Sequence, residues 1–308
     1  MLKSIKNFII VSRGNIQIAS LPTCSLGIVL AAQDWGEILN WPVFLYICLF
    51  FIILTFSCNI NSLYDIDVDE KSKSSMSNAI KSLGISSVKA LLIIELFFAG
   101  ILIVVLCVLK KDMLYLLATS GVLAGYAYSA PPLRVKKRGS LSPIPVMLWL
   151  YFLPILAGWY IVKDALSLFI ILFGFGYASI MQGITFINTC EDYEADRMSG
   201  IRTWVHVFGI KKTLLIGTIF VTGGGILILF LAFFYVIKLH SFGFITIMDL
   251  IVLFFFESSI FFIAKNLHSI GHSANPAESS RESAYKMRSW FLSTRYPLLV
   301  LAILSLYA

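Results

Sequence analysis

Charge is scarce in this sequence. Asp, Glu, Lys and Arg make up 13% of its 308 residues, about half the share with which a soluble domain covers its surface, and this excludes a water-soluble globular protein. Cysteine is sparse as well. Cys24, Cys48, Cys58, Cys107 and Cys190 lie in or beside apolar runs and form no C-x-x-C pair, so neither a disulfide framework nor a zinc site is expected. As small buried hydrophobes they need no further role. Among the four histidines, His268 and His272 stand i, i+4, but Gly271 between them and Asn275-Pro276 beyond them point to a loop rather than a metal site. No small-residue cleavage site leads into a polar chain after the start Met1-Leu2-Lys3, so the N-terminus is read as part of the protein and not as a signal peptide.

Apolar runs fill the space that charge leaves. Hydrophobic residues are 58% of the chain and the mean hydropathy is +0.87. A helix needs about 20 apolar residues to cross the hydrocarbon, and nine segments meet or approach that length: 16–33, 42–62, 88–109, 113–130, 142–162, 165–190, 213–237, 244–264 and 293–308. They predict an all-α polytopic membrane protein, a nine-helix bundle forming one transmembrane domain over residues 1–308. With the N-terminus inside, only Lys110, Lys111, Lys163 and Lys238 of the 24 Lys and Arg fall outside, a strong positive-inside bias. The net charge of +7 is then turned toward anionic membrane lipids and not toward nucleic acid. The polar loops at 65–87, 191–212 and 265–292 lie on the cytoplasmic face, where functional residues are expected.

Two acidic clusters share that face. At the inner end of the second span, Asn61, Asp65 and Asp69 are spaced i, i+4, i+8; at the inner end of the sixth, Asn188, Asp192 and Asp196 repeat the spacing, with Glu191 and Glu194 beside them. On a helix each trio shares one side. Like charges four apart repel, and desolvation near the bilayer adds to the cost, so the repeated arrangement makes sense if a cation neutralises it. Carboxylate and amide oxygens suit Mg2+, which binds through a few carboxylates plus substrate phosphates. Two such clusters facing one cavity would bridge a diphosphate. Two solvated acidic loops would be the simpler account of either cluster alone.

Between the clusters runs Tyr126-Ala127-Tyr128-Ser129-Ala130-Pro131-Pro132-Leu133-Arg134-Val135-Lys136-Lys137-Arg138. Arg134 offers a planar fork of donors and Lys136 a point charge to a diphosphate; both serve equally as membrane anchors. Tyr128 presents its ring or hydroxyl to the cavity or belongs to an interfacial tyrosine belt. Arg197 and Arg202 are phosphate partners or local balances for the acids. Arg13 is a lesser candidate, and Lys71 and Lys73 offset the first cluster. Glu95 and Glu257 fall inside spans, where ionisable residues are functional suspects: each lines the cavity or bonds a neighbouring helix.

These motifs together resemble the UbiA superfamily of intramembrane prenyltransferases over essentially the whole chain. The family's N-x-x-x-D-x-x-x-D motif is similar to Asn61, Asp65 and Asp69, and its D-x-x-x-D motif to Asp192 and Asp196. The string Tyr128-Ser129-Ala130-Pro131-Pro132-Leu133-Arg134 is similar to a Y-S-x-P-P-L-R/K signature of several branches. The resemblance implies a nine-helix bundle around a cavity open to lipid. It implies Mg2+ held by Asp65, Asp69, Asp192 and Asp196 with Asn61 and Asn188 assisting, and transfer of a prenyl group from a prenyl diphosphate to a lipophilic acceptor. An aromatic or quinone-precursor acceptor is the first expectation, with a glyceryl lipid or tetrapyrrole as the alternative. The sequence departs from the quinone branches at Ser62, where many have Asp, and at Lys71-Ser72-Lys73-Ser74-Ser75-Met76, which lacks their arginine-proline stretch. A cation-coupled transporter would carry its acids near the bilayer midplane on broken helices, not at the membrane edge. A lipid-binding protein without turnover is the remaining alternative.

Overall fold

The computed structural model describes residues 2–67, 70, 74–109, 111–239 and 244–307. All of its regular elements are helical. They are α1 (Leu2–Val11), α2 (Gly14–Ala31), α3 (Trp41–Tyr64), α4 (Ser74–Leu83), α5 (Ile85–Val108), α6 (Asp112–Ser129), α7 (Leu153–Lys163), α8 (Leu168–Glu191), α9 (Tyr193–Met198), α10 (Trp204–Phe208), α11 (Ile210–Leu239), α12 (Phe244–Gly271), α13 (Pro276–Ser283) and α14 (Met287–Leu304), with short helical turns between some of them. A π-helical turn, Val146–Phe152, runs directly into α7.

Seven helical segments among the described residues are long and apolar enough to cross a membrane, and the bent pair α1–α2 makes an eighth. The nine-span expectation is therefore met in part. The segment expected at 113–130 is the helix α6, but it does not qualify by length and composition. Its 18 residues include Asp112, Thr119, Ser120, Ser129 and three tyrosines, and Gly121, Ala124, Gly125 and Tyr128 line a cavity. Further along, α12 continues through His268 to Gly271, where a loop was expected, and the His268 and His272 ring centroids lie 4.2 Å apart at a tilt of 32°.

Burial orders the bundle from inside to outside. In α8, 78% of the apolar window is buried, against 11% in α5, so α8 is the central post and α5 a peripheral helix turned to lipid. Lipid tails supply no hydrophobic force between helices, so close contact must come from small residues. The pairing of α8 with α11 shows this directly: a Cβ on Gly224 would lie 2.5 Å from the Gly176 carbonyl oxygen, and one on Gly183 would lie 2.6 Å from that of Gly217. Both glycine pairs are seven residues apart on each helix, the spacing at which two antiparallel helices return to the same face. A second close crossing joins α2 to α7. A Cβ on Gly27 would overlap the Ile155 carbonyl oxygen, and one on Gly158 would lie 2.8 Å from that of Cys24.

The two largest core clusters meet across α2 and α7. The larger gathers α2, α7, α8, α11, α12 and α14; the smaller gathers α2, α3, α5, α6 and α7. Arg295 belongs to the first of these regions. It lies within the expected span 293–308 and is 3% exposed within α14. Its guanidinium donates to the Ala19 carbonyl of α2, lies 3.2 Å from the Met181 sulfur, and sits 4.6 Å over the Phe291 ring. Pro22 lacks the N–H that would bond the Ile18 carbonyl, one residue before the Ala19 carbonyl that Arg295 takes.

Candidate active site

The first acidic cluster begins where α3 ends. The helix stops at Tyr64 and Asp65 is its C-cap. The second cluster repeats the break: α8 stops at Glu191, Asp192 is its C-cap, and α9 starts at Tyr193. In the second trio the Asp192 and Asp196 N–H groups still bond the Asn188 and Asp192 carbonyls, at 3.1 and 2.9 Å, across this break. Carboxylates are disfavoured at the negative end of a helix dipole, and the chain turns at the first aspartate of each motif. Asp69, with Lys71 and Lys73, lies outside the described residues.

A single cavity of about 380 Å³ brings the two ends together. Its polar end is lined by Arg13, Asn61, Asp65, Lys136, Asp192 and Asp196, with Asn188, Thr189 and Tyr128 beside them. Leu49, Ile53, Leu117, Trp149, Leu150 and Leu153 line its apolar extension. Asp65 is buried, ion-paired with Lys136, and accepts a hydrogen bond from Arg134 at 3.2 Å. Arg134 also donates to the Tyr64 carbonyl at 2.8 Å, from a left-handed backbone conformation with φ of 40°. Burial lowers the Lys136 ammonium from its ordinary value, opposed by the Asp65 carboxylate; burial also lowers Lys137.

Arg13 takes a larger part than its sequence position suggested. It occupies the break between α1 and α2 with φ of 50°, a region that non-glycine residues rarely adopt. Its guanidinium enters the cavity and donates to the Asn61 Oδ1 at 2.6 Å, while the Asn61 amide donates to Ser129 at 3.2 Å. The signal in the sequence was faint: one arginine just ahead of an apolar run. On the second cluster, the Asn188 amide donates to Asp192 at 3.4 Å.

Arg197 and Arg202 are exposed and do not line the cavity. The Arg202 backbone has a structural use instead. Its carbonyl accepts from Gly139 at 2.7 Å, and nearby the Trp204 N–H donates to Ser142 at 3.0 Å, so the loops after α6 and α9 are tied together. Neither intramembrane glutamate lines the cavity. Glu95 accepts a hydrogen bond from buried Asn59 at 2.5 Å and joins α5 to α3, and Glu257 lies on α12.

Among the described residues no three carboxylate, His or Cys groups already form a metal cluster. The buried Asp65 carboxylate, the two aspartates of the second cluster and the Asn188 amide nonetheless offer hard oxygen ligands around one cavity, the chemistry Mg2+ prefers. The residues fit the ion.

The UbiA prenyltransferase family model matches residues 20–274. The chain belongs to that family. Solved UbiA-type structures share its fold. A UbiA homolog from Archaeoglobus fulgidus is 16% identical with a TM-score of 0.69, over 98% of this chain and 100% of that one. The homolog from the same organism bound to DMAPP and Mg2+ is 15% identical with a TM-score of 0.63, over 96% and 99%. A structure described for digeranylgeranylglyceryl phosphate synthase is 18% identical with a TM-score of 0.64, over 98% and 99%. No curated protein matches the sequence.

Proposed function

We propose that this UbiA-family chain is a Mg2+-dependent prenyltransferase that moves a prenyl group from a prenyl diphosphate to the hydroxyl of a glyceryl lipid. The observation that carries the reading is the cavity itself, cationic and acidic at one end and apolar along the rest. Asp65, Asp192 and Asp196, with Asn61, Asn188 and Asp69 completing the motifs, are the groups to hold the metal. Mg2+ bound there would draw negative charge onto the leaving diphosphate. Lys136 and Arg13 hold the phosphate oxygens, Lys136 leaving Asp65 to do so, while Arg134, which does not line the cavity, positions Asp65. The allylic C–O bond breaks with its electron pair on pyrophosphate, the acceptor oxygen bonds the allylic carbon, and the acceptor proton passes to pyrophosphate. The apolar walls keep water from that carbon, and Tyr128 borders it.

The glyceryl-lipid acceptor is favoured over the aromatic or quinone-precursor one first expected. Two findings support it: the fold likeness to digeranylgeranylglyceryl phosphate synthase, and Ser62 in place of the aspartate common in quinone branches. The charge bias of the loops supports a single transmembrane domain with its polar mouth and N-terminus on the cytoplasmic side.

Purified protein given Mg2+, geranylgeranyl diphosphate and a singly prenylated glyceryl phosphate should release pyrophosphate and form a doubly prenylated product. Transfer to 4-hydroxybenzoate alone would overturn the acceptor, and no Mg2+-dependent pyrophosphate release with any acceptor would overturn the activity. Lys136→Gln should weaken prenyl diphosphate binding by about 10- to 100-fold, the worth of one charged hydrogen bond. Titration of the variant with a non-hydrolysable prenyl diphosphate analogue measures this.

A further inference from the structure

The phosphate and metal chemistry accounts for the polar end of the cavity but leaves one interior side chain unexplained. Gln182 lines the cavity from the middle of α8 and is 2% exposed. Its Oε1 is buried and has no hydrogen-bond partner. Leaving such a group unsatisfied costs about 1–3 kcal/mol, so a ligand that donates to it would recover a cost the fold has already met.

The donors on the next turn of α8 and on the element packed against it are engaged elsewhere. Thr185, one turn on, donates to the Met181 carbonyl at 2.8 Å and lies 2.9 Å from the Tyr151 hydroxyl. Trp149 donates its indole N–H to Ser120 at 3.0 Å. Both groups are occupied. The element packed against this side of α8 is the π-helical turn Val146–Phe152, whose Val146, Trp149 and Leu150 line the cavity. Such turns are rare and concentrate at functional sites.

The position of Gln182 narrows what could bind it. Gln182, Thr185, Thr189 and Asp192 all line the cavity from one side of α8. Gln182 lies about 15 Å along the helix from Asp192 at about 1.5 Å per residue. That rise has room for a diphosphate, an allylic carbon and an attacking hydroxyl in sequence. A prenyl chain has no hydrogen-bond donor, and a phosphate oxygen would be repelled by the amide oxygen. A hydroxyl is the group that fits.

Resting on the prenyltransferase reading, we infer that Gln182 is a specificity-determining residue that accepts a hydrogen bond from the acceptor hydroxyl and points its oxygen at the allylic carbon. The amide takes no proton: it orients the oxygen lone pair until the new C–O bond forms, and the proton of the resulting oxonium then leaves this hydrogen bond for pyrophosphate.

The test is Gln182→Leu, assayed with geranylgeranyl diphosphate and the singly prenylated glyceryl phosphate. The expected result is about a tenfold fall in kcat/KM for the acceptor, carried mainly by KM. Affinity for the diphosphate with Mg2+ should be unchanged, which also verifies folding, and more product should be diverted to the prenyl alcohol made by water. Unchanged acceptor kinetics and an unchanged product ratio would overturn the role of Gln182, as would a parallel loss of affinity for both substrates. A wild-type protein that binds no prenyl diphosphate with Mg2+ would overturn the underlying reading instead.

Discussion

Asp192→Asn and Asp65→Asn should each lower Mg2+-dependent pyrophosphate release on the order of 10³-fold, comparable to removing one preorganised electrostatic group from a water-poor site. The substitution keeps the size and most of the shape of the side chain and removes only its charge. At Asp65 it also leaves Lys136 buried without its counter-charge, so this variant should lose some stability as well as activity. Asp67→Asn is the control: Asp67 is exposed two residues beyond Asp65 and should keep activity within about twofold, as surface substitutions usually do. Full activity in both Asp65→Asn and Asp192→Asn would remove the metal–diphosphate site from consideration.

The parts of this site that could be read from sequence are those written in local spacing. Asn61 with Asp65, and Asn188 with Asp192 and Asp196, announce themselves because repeated acids at a membrane edge are costly without a counter-ion. The Tyr128-to-Lys136 stretch announces itself through its prolines and bases. What spacing could not give is contact across the bundle. Arg13 reaches Asn61 over 48 residues of chain, and Gln182 is one glutamine in an apolar run until the cavity beside it is known. Arg295 falls within the expected span 293–308, but spacing could not show its burial against α2. The helix breaks at Asp65 and Asp192 were likewise hidden, since a regular i, i+4, i+8 pattern reads as continuous helix.

The second large effect concerns the fold that holds these residues in place. Replacing glycine by alanine inside a helix ordinarily stabilises it by about 0.5–1 kcal/mol through the entropy of the unfolded chain. At Gly27 the sign should reverse. A Cβ there would overlap the Ile155 carbonyl oxygen and lie 2.7 Å from the Trp159 nitrogen. Both are backbone atoms in α7 that cannot rotate aside, so α2 and α7 must separate. Overpacking of this kind costs about 1–3 kcal/mol or more, and parting the helices forfeits the packing that replaces hydrophobic force in lipid. Gly27→Ala should therefore lower the thermal midpoint by several degrees and reduce the monodisperse fraction in detergent. Gly223→Ala in α11, with nothing within 4 Å of the added Cβ, should leave the midpoint unchanged or raise it. The effect should also reach the active site, because α2 begins beside Arg13 and α7 continues the π-helical turn that walls the cavity. Gly27→Ala protein that remains folded should bind prenyl diphosphate more weakly although no ligand-facing side chain has changed. Equal midpoints for the two variants would show that the α2–α7 crossing is looser than its glycines require.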